Sequence, residues 1–135
     1  MARILIAEDD AIAASVLANA LMNAGHAVGV LDNGRDALFT IRAKRPDIVI
    51  LDGDLPEMHG LTVLRDLRHD AQVWHTPVFM LTASRSRADE EIALRAGATG
   101  YLRKPFDPDY VLFRINEALE AHLALQAPPP RRTLI

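Results

Sequence analysis

The chain is predicted to fold as an α/β domain on a doubly wound parallel sheet, and three features carry that prediction. Short runs of purely aliphatic residues recur, as in Ile48-Val49-Ile50-Leu51, and a strand apolar on both faces belongs inside a parallel sheet. Segments of helical spacing stand between those runs, the alternation expected of βαβ units with right-handed crossovers. Polar residues follow directly on the strand ends, namely Glu8-Asp9, Asp52, Thr82 and Lys104. That carboxyl edge is where open α/β sheets place their ligands.

Residues 4–7, Ile-Leu-Ile-Ala, form the first strand and end at Glu8-Asp9-Asp10. A helix follows over residues 11–25, capped by Asp9 or Asp10 and ended by Gly25, with Ile12, Val16, Leu17, Ala20 and Leu21 as its apolar stripe. Residues 26–31 read as a weaker strand at a sheet edge. Asp32-Asn33-Gly34 is a turn or cap, and the next helix runs through Ala37, Leu38 and Ile41 to Arg45, before Pro46. Residues 47–60 hold the central strand, Asp52, and a loop marked by Gly53, Pro56 and Gly60. Leu61, Leu64 and Leu67 then repeat at helical spacing. The fourth strand, 77–81, ends at Thr82-Ala83-Ser84, and a short helix over 86–96 is closed by Gly97. Residues 99–103 form the fifth strand, ending at Lys104-Pro105-Phe106. Pro108 opens the last helix, whose stripe is Val111, Leu112, Ile115, Leu119, His122 and Leu123.

Residues 1–126 are thus read as one domain. Residues 127–135, Ala-Pro-Pro-Pro-Arg-Arg-Thr-Leu-Ile, are too rich in proline to continue the helix and are expected to form a stiff tail or linker.

A length of 135 residues is enough for one domain with its own core. With 50% hydrophobic and 24% charged residues the balance is globular, which argues against disorder. The absence of cysteine rules out a disulfide framework and thiolate metal sites and suits a reducing cytoplasm. The N-terminal apolar run is too short for a signal peptide or a membrane span. A net charge of −3 offers no electrostatic reason to expect nucleic-acid binding.

Three carboxylates at one sheet edge repel one another unless a cation joins them. An oxygen-only donor set favours a hard ion, Mg²⁺ or Mn²⁺. A hydroxyl and an ammonium opposite would leave room for an anion. Together these groups describe a site that handles a phosphoryl group, with one carboxylate available as nucleophile. Singly, each has a plainer reading: Asp9 or Asp10 as a helix cap, Asp52 as a turn residue, Thr82 as a loop hydroxyl, Lys104 as a solvated charge. Their coincidence at strand ends is what gives them weight.

Four stretches carry a family resemblance: Ile4-Leu5-Ile6-Ala7-Glu8-Asp9-Asp10; Leu51-Asp52 with Leu55-Pro56-Glu57-Met58-His59-Gly60; Leu81-Thr82-Ala83; and Tyr101-Leu102-Arg103-Lys104-Pro105-Phe106. They resemble, in order and register over about residues 2–125, the motifs of response-regulator receiver domains, the CheY-like modules of two-component phosphorelays. The resemblance implies a three-layer, flavodoxin-like (βα)5 fold with strand order 2-1-3-4-5. It implies Asp52 as the acceptor of a phosphoryl group from a sensor histidine kinase or histidine phosphotransfer protein. Asp9 and Asp52 would bind the metal directly, Glu8 directly or through water, and the backbone carbonyl of Asp54 would be a further ligand. Lys104 would pair with Asp52 and then with the phosphoryl oxygens, beside the backbone of Ala83, and its bond to Pro105 is expected to be cis. Thr82 and Tyr101 match the family's switch pair, which repacks the surface of the fourth helix, fifth strand and fifth helix for a downstream effector or a phosphorylation-dependent homodimer. Read without the family, Tyr101 is a half-buried edge-strand aromatic.

Some positions depart from the common pattern. His59 stands where the family often has Asp, and it is read as solvated and without a role. Asp54 and Ser84 match positions that influence how fast the phosphoryl group is hydrolysed. Thr99-Gly100 replaces the acidic pair that winged-helix regulators usually carry before their tyrosine, although Lys104-Pro105-Phe106 with Arg114 keeps part of that look. The histidines His26, His59, His69, His75 and His122 show no metal-binding spacing and are read as surface or amphipathic positions. Gly97-Ala98-Thr99-Gly100 precedes a strand, so it is a helix stop and not a phosphate loop. Arg85 and Arg87, mixed with Asp89, Glu90 and Glu91, read as a solvated helix face, with a partner surface as the alternative.

Two other functions compete. Asp52-Gly53-Asp54 resembles the D-x-D of haloacid-dehalogenase-type phosphatases, but Pro56 occupies the place where that motif has Thr or Val, and no cap domain fits. A degenerate receiver serving only for docking is opposed by the full set of acids, threonine and lysine. The expected role is a switch and not a turnover enzyme. A stand-alone regulator is expected, with an output domain beyond Pro130 as the alternative.

Overall fold

The computed structural model describes residues 1–126; the proline-rich tail read over 127–135 lies outside them. Ten elements alternate: β1 (Arg3–Ala7), α1 (Ala11–Asn23), β2 (Ala27–Leu31), α2 (Gly34–Lys44), β3 (Ile48–Asp52), α3 (Gly60–Arg68), β4 (Val78–Thr82), α4 (Arg87–Arg95), β5 (Gly100–Arg103) and α5 (Pro108–Gln126). The strands form one sheet in the order β2-β1-β3-β4-β5, and every pairing is parallel. This is the three-layer, flavodoxin-like arrangement. β3 and β4 are buried along their whole length, whereas β2 at the edge is largely exposed. That contrast follows from the apolar runs, since only interior strands have both faces covered.

Side chains alternate across the sheet, so each inner strand feeds two cores. Leu5, Val49, Leu51, Val78 and Met80 pack with Leu38 and Ile41 of α2, Val63, Leu64 and Leu67 of α3, and Ala93 of α4. Ile4, Ile6, Ile48, Ile50, Phe79 and Leu81 pack on the other face with Leu17, Ala18 and Leu21 of α1 and Val111 and Ile115 of α5. The helix boundaries have identifiable causes. Asn33 and Ser86 cap α2 and α4 by accepting backbone N–H groups, and Gly25 and Gly97 end α1 and α4 at φ of +93° and +106°.

One expected stripe is misplaced. Ile12 and Val16 of α1 point to solvent, and Ala14, Leu17, Ala18 and Leu21 are the buried residues. Only Ser15, Asn19 and Asn23 are polar and the rest of the helix is apolar, so its pattern marks the inner face weakly. Leu123, expected on the α5 stripe, is likewise exposed. β5 starts at Gly100 and not at Thr99, whose hydroxyl accepts the Val78 N–H.

Candidate functional site

The ends of four strands meet at the carboxyl edge of the sheet. β1 delivers Glu8, buried, and then Asp9, exposed. Asp10 is the cap of α1, accepting from the N–H groups of Ile12 and Ala13 at 3.0 and 3.2 Å. The capping role therefore falls to Asp10, and Asp9 is left to the site. β3 delivers Asp52, 3% exposed. Its Oδ1 accepts the Asp54 N–H at 3.0 Å, and its Oδ2 lies 3.4 Å from Lys104 Nζ. The loop beyond it is held close by glycine. A Cβ at Gly60 would stand 2.1 Å from the Asp52 carbonyl oxygen, and one at Gly34 would stand 1.9 Å from that of Met58.

One oxygen each from Glu8, Asp9 and Asp52 lie within 4.8 Å of one another. Lys104 donates more tightly to Glu8 Oε1, at 2.7 Å, than to Asp52. Among the described residues Glu8 Oε2 is buried with no hydrogen-bond partner. Burial, the adjoining Asp52 carboxyl and its charge push the Glu8 carboxyl up to about 7, against the opposing pull of Lys104. Burial disfavours the Lys104 ammonium, but its bond to Glu8 and the charges of Asp52 and Glu8 hold its pKa above the ordinary value. An orphaned buried carboxylate oxygen among three oxygen donors, with no nitrogen or sulfur ligand, is compatible with Mg²⁺. Asp54 itself is exposed.

On the other side of Asp52 the buried Thr82 hydroxyl accepts the Ser84 N–H at 3.1 Å. Ser84 Oγ donates to Asp89 at 2.6 Å. Behind Thr82 a cavity of about 390 Å³ is walled by Met80, Leu61, Ile92, Ala93 and the half-buried Tyr101. The Arg103 guanidinium lies 5.6 Å from the Tyr101 ring centroid and bonds Glu90 of α4 at 3.0 Å. Asp89 and Glu90 are thus engaged with neighbours on a helix face that is largely exposed. Ala83 is exposed beside Thr82, and the Lys104–Pro105 peptide is cis.

Sequence reasoning brought Glu8, Asp9, Asp52, Thr82 and Lys104 to this edge, and the structure gathers all five there. It did not foresee the Glu8–Lys104 bond, which spans 96 positions. It also missed Arg68, whose guanidinium donates to the carbonyls of Trp74, Thr76 and Gly97. No local signal marks either contact. His59 is exposed and makes no side-chain capping bond to α3. Arg114 lies 5.4 Å from the ring centroid of Phe79 and bonds the Tyr110 hydroxyl.

A five-stranded 2-1-3-4-5 sheet with acids on the first and third strands and lysine after the fifth defines a class, and the chain belongs to it: the model of the response regulator receiver domain matches residues 4–116. The members of this family are regulatory switches of two-component systems. The chain is 40% identical over 117 residues to the DNA-binding response regulator MtrA of Mycobacterium tuberculosis, covering 87% of this chain and 50% of that protein. It therefore spans about half the length of that relative. It is 35% identical over 119 residues to protein PilH of Pseudomonas aeruginosa, covering 88% of this chain and 98% of that one. Among solved structures, the receiver domain of a sensor histidine kinase from Pseudomonas aeruginosa superposes with a TM-score of 0.82 at 27% identity, covering 88% of this chain and 98% of that one. That domain has a magnesium ion coordinated in its active-site cleft. No helix among the described residues is long and apolar enough to cross a membrane.

Proposed function

We propose that this receiver accepts a phosphoryl group on Asp52 from a phosphohistidine of a sensor kinase or phosphotransfer protein, and that the modified state is read on the surface of α4, β5 and α5. The observation that carries this reading is the setting of Asp52: a buried carboxylate at the end of β3, within 4.8 Å of two other acids and 3.4 Å from one ammonium. An oxygen of Asp52 attacks phosphorus, an O–P bond forms, and the donor's P–N bond breaks with its electron pair leaving on the imidazole. Lys104 meets the negative charge that develops on the phosphoryl oxygens.

Glu8, Asp9, Asp52 and the backbone carbonyl of Asp54 would hold the ion, as befits oxygen donors with one orphaned oxygen among them. Mg²⁺ or Mn²⁺, when bound, supplies charge neutralisation at the phosphoryl oxygens. The Ala83 N–H and the Thr82 hydroxyl would bind the new oxygens. In meeting one, Thr82 gives up its bond from the Ser84 N–H, and Tyr101 turns into the cavity behind it. Asp54 and Ser84, which line the same cavity beside Thr82, set the access of the hydrolytic water. A homodimer or a separate effector is the reader of that surface, and the module works in the cytoplasm as a switch without turnover.

The test is incubation with acetyl phosphate and Mg²⁺ followed by intact mass. A gain of one phosphoryl group, base-labile and abolished by chelator or by Asp52→Asn, is expected. Steady phosphate release that survives Asp52→Asn would refute the assignment.

A further inference from the structure

The five histidines have no metal spacing in sequence, yet the fold gathers three of them. His26 ahead of β2, His75 ahead of β4 and His122 near the end of α5 line one cleft of about 430 Å³. This cleft lies at the amino edge of the sheet, opposite Asp52. His75 and His122 face each other with ring centroids 5.7 Å apart and 34° between their planes. His26 accepts the Ala2 N–H on Nδ1 at 3.1 Å, which orients the ring and leaves Nε2 as its other nitrogen. Asp47, also on the cleft wall, adds a carboxylate.

We propose that His75 and His122 form a binding site for a divalent transition ion of the Zn²⁺ class, with water completing the shell and His26 on the same wall. Two imidazoles on one such ion, each at ~2.1 Å, place their ring centroids about 5 to 6 Å apart at tetrahedral to trigonal angles. The observed separation falls in that interval. Borderline ions prefer imidazole nitrogen, whereas the carboxylate cluster at the far edge suits a hard ion, so the chemistry separates the two sites. The Arg45 guanidinium on the wall is tied to the Gln72 side chain. An ion here ties α5 to the loop that enters β4, fastening one part of the output surface to the sheet from below.

Trp74 is the only tryptophan of the chain, and its ring lies 5.5 Å from that of His75. The full chain, free of any affinity tag and stripped by chelator, is titrated with Ni²⁺ while Trp74 emission is followed. The expected result is saturable quenching, reversed by Zn²⁺ in competition. His75→Gln and His122→Gln each weaken it at least about tenfold, whereas His59→Gln, His69→Gln and Asp52→Asn leave it in place. Melting of each variant in chelator, expected to match the parent, separates lost ligation from lost folding. Quenching that does not saturate, that survives either His75→Gln or His122→Gln, or that disappears in Asp52→Asn overturns the proposal.

Discussion

At Glu8 a buried carboxyl has one oxygen on Lys104, the other without a hydrogen-bond partner among the described residues, and a second carboxyl, Asp52, at its side. Its pKa near 7 in the folded chain lies above the ordinary 4.5, so between those values the folded state holds a proton that the unfolded chain has lost. The stabilisation is complete below pH 4.5 and is lost as the pH rises to 7. In chelator the urea midpoint is therefore expected to fall between pH 5 and 7.5. Glu8→Gln is expected to remove that slope and to raise stability at pH 7.5 by on the order of 1 kcal/mol. A slope equal to the parent's would refute this account. Asp52 and Lys104 were legible in the sequence because each stands at the end of a short strand run. The Glu8–Lys104 bond was not, because nothing local tells which of two neighbouring acids an ammonium 96 positions away will approach.

Arg68 shows how one side chain can hold an element in place. From the last turn of α3 it donates to Gly97 at the end of α4 and to Trp74 and Thr76 ahead of β4. Arg68→Met leaves three carbonyls without that donor and is expected to destabilise the domain by about 2 kcal/mol, read from denaturant midpoints, with Arg68→Lys recovering part of the loss. The loop after β3 depends on contact of another kind. Gly60→Ala must push a Cβ away from backbone only 2.1 Å distant, and a loss of about 3 kcal/mol in thermal unfolding is expected. Helices were legible by their ends more than by their faces. Asn33, Gly97 and Pro108 marked boundaries correctly, but the alanine-rich α1 hid which side it buries, since Ile12 faces water and Ala14 the sheet.

For the whole molecule, crowding three acids together, only two of them paired with Lys104, makes cation binding a source of stability. Mg²⁺ at 100-fold above its dissociation constant is expected to add about 2.7 kcal/mol, seen as a rise in the melting temperature that Asp9→Asn abolishes. The strand order was legible through the family motifs. The histidine cleft was not, because its residues come together only when the amino edge of the sheet is assembled.

The alternation of side chains across the sheet has one more consequence. Ile48 and Ile50 share a core with α1 and α5, and by the same alternation Asp52 belongs to that side, whereas Val78, Met80 and Tyr101 pack toward α2, α3 and α4. The modified residue and the proposed switch tyrosine thus lie on opposite sides of the sheet, while α5 of the proposed output surface lies on the side of Asp52. Asp52 and Tyr101 communicate over the rim of the sheet and not through it. Ile115→Val, in the core beneath α5, should lower unfolding stability by about 1 kcal/mol, read from denaturant midpoints.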